Sequence, residues 1–103
     1  MNADKKKFSV ILNKISKANS DTYIIFYKKT CPYCRNTLQL LREKKVHYKG
    51  YDINKIGGTS ILLELFNQHK DELKFDPKHK TIPLIFLDGK FIGGYDDLKL
   101  KLK

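Results

Sequence analysis

Two cysteines, Cys31 and Cys34, are the residues best suited to chemistry, because thiols can attack disulfides, form disulfides and bind metals. They are the only cysteines in the 103-residue sequence, and they stand three positions apart. A bridge that closes so short a loop restricts the unfolded chain very little, so a purely structural disulfide is a poor explanation. The spacing therefore predicts a redox-active or metal-binding pair.

The metal-binding alternative is half of a zinc or iron–sulfur site. Two cysteines supply only half of a tetrahedral ligand set, and His47, His69 and His79 lack the paired spacing of zinc ligands. We therefore favour a redox pair and expect no metal site. A cluster shared by two subunits stays open as an alternative.

The sequence around the pair predicts that Cys31 is presented at the start of a helix. Pro32 is favoured at the first helical position, so Cys31 should precede the helix directly. Unpaired backbone N–H groups there, with Lys28 and Lys29 nearby, favour a thiolate. A stabilised thiolate gains little in attack but leaves more readily when a second thiol resolves a mixed disulfide. Cys34, one turn further, should be more buried and should act second.

The composition is that of one folded domain with a basic surface. Hydrophobic residues make up 41% of the chain, and 21 Lys and Arg oppose 11 Asp and Glu, for a net charge of +10. Such a surface attracts anions, and Lys5, Lys6, Lys7 and the 99–103 tail would serve a nucleic-acid or acidic-partner binding module. The lysines are spread along the whole sequence, however, which favours a solvated surface. We expect no nucleic-acid partner.

The sequence also carries expectations about compartment and assembly. No apolar run is long enough to cross a bilayer, and the basic start lacks the apolar core of a secretory signal. We therefore expect a cytoplasmic protein without membrane association, and a monomer.

The hydrophobic pattern predicts the elements that must position the cysteines. Helical spacing predicts helices over 5–17, from Pro32 to about Lys45, after Gly57-Gly58 with Ile61, Leu62, Leu65 and Phe66 on one side, and, weakly, from Asp96. Runs of β-branched and aromatic residues predict strands over 22–27, 46–53, 82–87 and 90–92, the first of them buried on both faces. The stretch 70–80 should be a loop or a frayed helical extension.

The order of these elements predicts an α/β fold. The first two strands are separated by a helix and should be parallel, whereas Asp88-Gly89 is a tight-turn signal that makes the last two antiparallel. A mixed four-stranded sheet flanked by helices follows.

Three separated motifs in this order together resemble the dithiol glutaredoxins. They are Lys28-Lys29-Thr30-Cys31-Pro32-Tyr33-Cys34 after a strand, Thr81-Ile82-Pro83 opening another strand, and Gly93-Gly94-Tyr95-Asp96-Asp97 after the hairpin. The resemblance covers nearly the whole chain. It implies a thioredoxin-like fold of the glutaredoxin type and a single glutaredoxin domain over residues 1–103.

The resemblance also implies a reaction, a cosubstrate and a set of partners. Cys31 resembles the nucleophile and Cys34 the resolving thiol of a glutathione-dependent thiol–disulfide oxidoreductase. Glutathione would be a cosubstrate, no cofactor would be permanently bound, and the protein partners would be disulfide-containing or glutathionylated proteins. The glutathione-binding residues implied are Lys28, Tyr33, Thr81, Ile82, Pro83, Gly94, Asp96 and Asp97.

Several of these residues have a more specific implied role. Lys28 resembles the lysine that meets the glycyl carboxylate, and Pro83 resembles the cis-proline of the family. Asp97 would pair with the ammonium of the γ-glutamyl end, and Asp96 resembles the neighbouring helix-capping position. Tyr33 either shapes the groove or only covers the helix start.

One departure from the family and two further functions stay open. The 67–80 connection is longer than is usual in the family, and Lys80 within it is a further candidate for the glycyl carboxylate. The chain could instead be a dedicated hydrogen donor to a reductase such as ribonucleotide reductase. It could also be a dimer that holds an iron–sulfur cluster through Cys31 of two subunits.

Overall fold

The computed structural model describes residues 2–103, with side chains from Phe8 onwards, so the side chains of Lys5, Lys6 and Lys7 lie outside the described part. Five helices and four strands alternate along this part of the chain. In chain order they are α1 Asn2–Ser16, β1 Tyr23–Tyr27, α2 Pro32–Glu43, β2 Tyr48–Asp52, a 3₁₀ turn Ile53–Ile56, α3 Thr59–Gln68, α4 Lys70–Leu73, β3 Leu84–Leu87, β4 Lys90–Gly93 and α5 Tyr95–Lys101.

The strands form the predicted mixed sheet, in the order β2-β1-β3-β4. The β1 strand pairs in parallel with β2 and antiparallel with β3, and β3 pairs antiparallel with β4. Since β1 is an inner strand, its carboxyl end lies between the ends of its two neighbouring strands. The cysteine loop begins at that end.

Hydrophobic side chains pack against both faces of the sheet. On one face Ile24 and Phe26 join a cluster with residues of α1 and α3, including Ile15 and Phe66. On the other face Tyr23, Ile25 and Ile85 pack with Leu41 of α2 and Leu98 of α5. Successive residues of a strand point to opposite faces, so the burial of four consecutive residues of β1 confirms the predicted two-sided strand.

The second and third strands are shorter than predicted, and one residue of the predicted α3 face is exposed. The second strand covers only 48–52, because the Asp52 carboxylate accepts a hydrogen bond of 3.0 Å from the Asn54 N–H and begins the 3₁₀ turn. The third strand starts at Leu84, since Pro83 has no N–H for the ladder. Ile61 is 43% exposed, whereas Leu62 and Leu65 are buried, because it lies about 100° around α3 from Leu62.

Two side chains anchor the 67–80 connection to the core. The short α4 is the helical extension that the sequence allowed, and Leu73 at its end and Phe75 after it are buried. The Phe75 ring lies 5.7 Å from that of Phe66 and 4.7 Å from that of Phe91. These contacts tie the connection to α3 and to β4.

Candidate active site

Cys31 occupies the position immediately before α2, as its sequence context predicts. Its carbonyl oxygen accepts hydrogen bonds from the N–H groups of Cys34 and Arg35, both at 3.1 Å, while its own backbone stays extended with φ −90° and ψ 118°. Its N–H donates to the Lys28 carbonyl oxygen at 3.2 Å, which closes the turn after β1. Pro32 then begins the helix. The turn therefore sets Cys31 at the amino end of α2.

The two free thiols occupy different surroundings. Cys31 is half-buried, whereas Cys34 is 1% exposed, which confirms the expected difference in burial. Burial raises the pKa of the Cys34 thiol to about 12, and the neighbouring Cys31 acts in the same direction. A hydrogen bond with the Lys28 backbone and the charge of Lys28 oppose this pKa shift without cancelling it. Cys34 is thus protonated at neutral pH, and Cys31 is the accessible thiol.

The backbone before β3 lies directly beside Cys31. The Cys31 Sγ is 3.9 Å from the Ile82 carbonyl oxygen, although the two residues are 51 positions apart. The Ile82–Pro83 peptide bond is cis, as the resemblance implies. The second motif therefore meets the first at the thiol.

The third motif forms a turn that starts α5. Gly93 has φ +123°, and a Cβ at this position would overlap the Asp97 carboxylate, so both conformation and space require glycine. The Asp97 Oδ2 accepts a hydrogen bond of 3.0 Å from the Gly94 N–H. This contact corrects the expected capping role of Asp96, since α5 starts at Tyr95 and its third residue, Asp97, is the one that reaches back.

One groove of about 730 Å³ brings the expected ligand-binding residues together. All of them line it, from three distant parts of the chain: Lys28, Tyr33, Thr81, Ile82, Pro83, Gly94, Asp96 and Asp97. Tyr33 is 59% exposed and its ring lies 6.3 Å from that of Tyr95, so it forms part of the groove wall. Lys80, the further candidate for a carboxylate, also lines this groove.

The groove also includes three residues that the sequence interpretation did not select, Thr59, His79 and Tyr95. Tyr95 belongs to the third motif, which is the sequence signal for its place in the groove. Thr59 opens α3 and His79 lies near the end of the long connection, so only the tertiary fold shows that they belong here.

The charges in the groove have both signs. Lys28 and Lys80 contribute ammonium groups, and Asp96 and Asp97 contribute carboxylates. Such a groove can bind a small ligand that itself carries carboxylate and ammonium groups. Asp97 has one oxygen engaged by the Gly94 N–H, which leaves Oδ1 for a ligand.

In the part of the chain with described side chains, no three His, Cys, Asp or Glu residues cluster as metal ligands. The expectation that no metal is bound stays a prediction, because a cluster shared between subunits would not need such a set. No helix among residues 2–103 combines the length and apolar character that a bilayer crossing requires.

Comparison with known proteins identifies relatives over most of the chain. The glutaredoxin family model matches residues 23–92. A protein named "Probable glutaredoxin" from Acanthamoeba polyphaga mimivirus is 45% identical over 91 residues, which cover 87% of this chain and 86% of that protein. Human mitochondrial glutaredoxin-2 is 34% identical over 87 residues, 84% of this chain and 49% of that protein. The chain thus spans about half the length of the human relative.

Solved structures share the same fold. A dithiolic glutaredoxin from Trypanosoma brucei brucei superposes with a TM-score of 0.67 at 30% identity, over 87% of this chain and 82% of that one. A buckwheat glutaredoxin–glutathione complex gives a TM-score of 0.71 at 20% identity, over 95% and 80% of the two chains. The thioredoxin-like fold of the glutaredoxin type is confirmed.

Proposed function

The chain belongs to the glutaredoxin family, whose members are thiol–disulfide oxidoreductases, and we propose on that premise that it uses glutathione. Its proposed substrates are protein disulfides and protein–glutathione mixed disulfides. The observation that carries the proposal is the groove beside Cys31, which has charges of both signs.

Glutathione carries charged groups that the groove can complement. Its glycyl end is a carboxylate, for which Lys28 and Lys80 are the available cations. Its γ-glutamyl end carries a carboxylate and an ammonium, and Asp97 offers a carboxylate oxygen to the latter. Between these ends, the Ile82 backbone beside the Cys31 sulfur suits an extended peptide that places its own sulfur there.

With a glutathionylated protein, the Cys31 thiolate attacks the glutathione sulfur. A Cys31–glutathione disulfide forms, the substrate sulfur–sulfur bond breaks, and the substrate thiolate leaves and takes a proton from solvent. A second glutathione thiolate then attacks the bound glutathione sulfur. Oxidised glutathione departs and the Cys31 thiolate is restored, so Cys34 is not required.

With a protein disulfide, Cys34 has a necessary role. Cys31 attacks one substrate sulfur and forms a mixed disulfide with the protein, and the other substrate sulfur leaves as a thiolate. Cys34 loses its proton and attacks the Cys31 sulfur, which releases the reduced protein and leaves a Cys31–Cys34 disulfide. Two glutathione molecules then reduce that disulfide and become oxidised glutathione. Because the Cys34 thiol is buried and protonated, it must lose its proton before it attacks.

The test compares two electron sources on one glutathionylated peptide. Glutathione, recycled by glutathione reductase and NADPH, should support turnover that saturates with glutathione concentration. A thioredoxin reductase with NADPH should support little. Turnover with the reductase alone would instead favour the dedicated hydrogen donor.

The proposal extends to compartment and assembly. We place the reaction in the cytoplasm, where a reducing environment keeps both cysteines as thiols, and we take the active species to be a monomer. The human relative is named mitochondrial, so subcellular fractionation is the deciding measurement for location. Sedimentation of the reduced protein measures its assembly, and a coloured dimer would favour the cluster-binding alternative.

A further inference from the structure

His79 lies where two walls of the groove meet. Its Nε2 is 3.4 Å from the hydroxyl of Thr81, the first residue of the Thr81–Pro83 segment that lies beside Cys31. The same edge of the ring also faces Gly94, because a Cβ placed on Gly94 would lie 3.5 Å from the His79 Cε1 and 3.8 Å from its Nε2. The imidazole thus adjoins both the Thr81–Pro83 wall and the turn that starts α5.

The long connection holds this imidazole in place. The His79 N–H donates to the Asp76 carbonyl oxygen at 3.0 Å, and the Asp76 carboxylate accepts from the Lys78 N–H at 2.9 Å, so residues 76–79 form a closed turn. The His79 ring packs edge-on against Phe91, with 4.9 Å between centroids. Phe91 in turn contacts the buried Phe75. The half-buried ring therefore packs on aromatic side chains that are anchored in the core.

We propose that His79 is a positioning residue that fixes the spacing between Thr81 and Gly94, and so sets how tightly the groove holds a glutathionyl group. The inference rests on the proposed use of glutathione. The 67–80 connection then has a function, because it places the His79 ring in the groove wall. His79 acts through its ring volume, because 3.4 Å is long for a hydrogen bond, whereas its edge-on packing on Phe91 is well formed.

The test measures an equilibrium that depends on the groove. In a Cys34→Ser background, the Cys31 thiolate exchanges with oxidised glutathione to give the Cys31–glutathione disulfide and one glutathione thiolate. Mass spectrometry of acid-quenched samples gives the equilibrium constant. His79→Ala should lower this constant about fivefold, whereas His79→Phe, which keeps a ring in the same place, should stay within about twofold.

Two controls separate the groove from the thiol and from the fold. Exchange with the disulfide of 2-mercaptoethanol forms the same type of bond at Cys31 without the charged ends of glutathione, so His79→Ala should leave this constant unchanged. His69→Ala alters another half-buried histidine of the same connection, one that faces Glu72 at 3.6 Å and does not line the groove. It should leave both constants unchanged.

Each contrary outcome overturns the proposal in a recognisable way. Equal losses with both disulfides would mean that His79 acts on the thiol or on folding. No loss with glutathione, or an equal loss in His79→Phe and His79→Ala, would remove the positioning role of the ring. If the protein with His79 intact showed no preference for glutathione over 2-mercaptoethanol, the proposed glutathione function would fail together with this inference.

Discussion

The turn that carries the cysteines and the groove beside it are built in opposite ways. The turn is local: Cys31 and Cys34 stand three positions apart, and hydrogen bonds among the backbone groups of residues 28–35 shape it. The groove is assembled from segments up to 69 positions apart, from Lys28 to Asp97. The reacting groups are thus held by neighbours in sequence, whereas tertiary packing forms the surface that selects the ligand. Changes in the turn should therefore affect turnover, and changes in the groove should affect substrate affinity.

The largest expected effect belongs to Cys31, the accessible thiol of the turn. Cys31→Ser should reduce turnover of a glutathionylated peptide to background, because no hydroxyl at neutral pH replaces a thiolate. The glutathione-coupled assay measures this, with circular dichroism as the check that the variant is folded. Full activity in this variant would refute Cys31 as the nucleophile.

Cys34→Ser should affect the reduction of the two classes of substrate differently. Reduction of a protein disulfide should be lost, since the step that releases the substrate needs the second thiol. Turnover of the glutathionylated peptide should remain at half the wild-type rate or more, because a second glutathione completes that reaction. Parallel losses on both substrates would show that Cys34 takes part in both routes.

The stability of the reduced protein at alkaline pH should test the burial of the Cys34 thiol. Burial raises the pKa of Cys34 from 9.0 to about 12, so the folded protein keeps a proton that the unfolded chain releases. The contribution of the protonated Cys34 thiol to stability is therefore fully present below about pH 9. Each further pH unit up to about 12 should lower the free energy of unfolding by up to about 1.4 kcal/mol. Urea titrations of the reduced protein should show this fall relative to Cys34→Ala. Parallel pH curves for the two proteins would mean that Cys34 ionises freely.

The smallest expected effect comes from the removal of one positive charge from the groove. Lys28→Gln should raise the KM for glutathione about three- to tenfold with little change in kcat, because it removes one cation from the groove. The matched control is Lys29→Gln, which changes the next lysine, an exposed residue that does not line the groove. The difference between the two variants should shrink with added salt. A fall in kcat with unchanged KM would place Lys28 with the reacting groups instead.

The same contrast explains what could be predicted from the sequence. The helix start at Pro32 and the two-sided burial of β1 follow from local residue preferences, and both are confirmed. The eight residues that the resemblance implies for ligand binding all line one groove, and their binding role stays a prediction. The residue that caps α5 depends on where the helix begins. Because α5 starts at Tyr95, the capping contact is made by Asp97 and not by Asp96.

Other features depend on contacts that no local pattern records. His79 enters the groove only because Leu73 and Phe75 anchor a connection that reads as polar in sequence. Ile61 belongs to the hydrophobic pattern of α3, but it falls on the border between the core and the surface. Packing between distant elements thus decides the position of His79, whereas the exposure of Ile61 follows from its angular position on α3.

The shared Asp97 carboxylate links ligand occupancy to the dynamics of the C-terminal helix. The oxygen that accepts from Gly94 holds the first turn of α5 closed, and Asp97 also lines the groove, where its other oxygen is the one proposed to accept from the ligand ammonium. A ligand that orders this carboxylate also stabilises the closed turn, by mutual linkage. Hydrogen–deuterium exchange should therefore slow at the Gly94 and Leu98 amides when glutathione is bound, so that α5 reports on the filling of the groove.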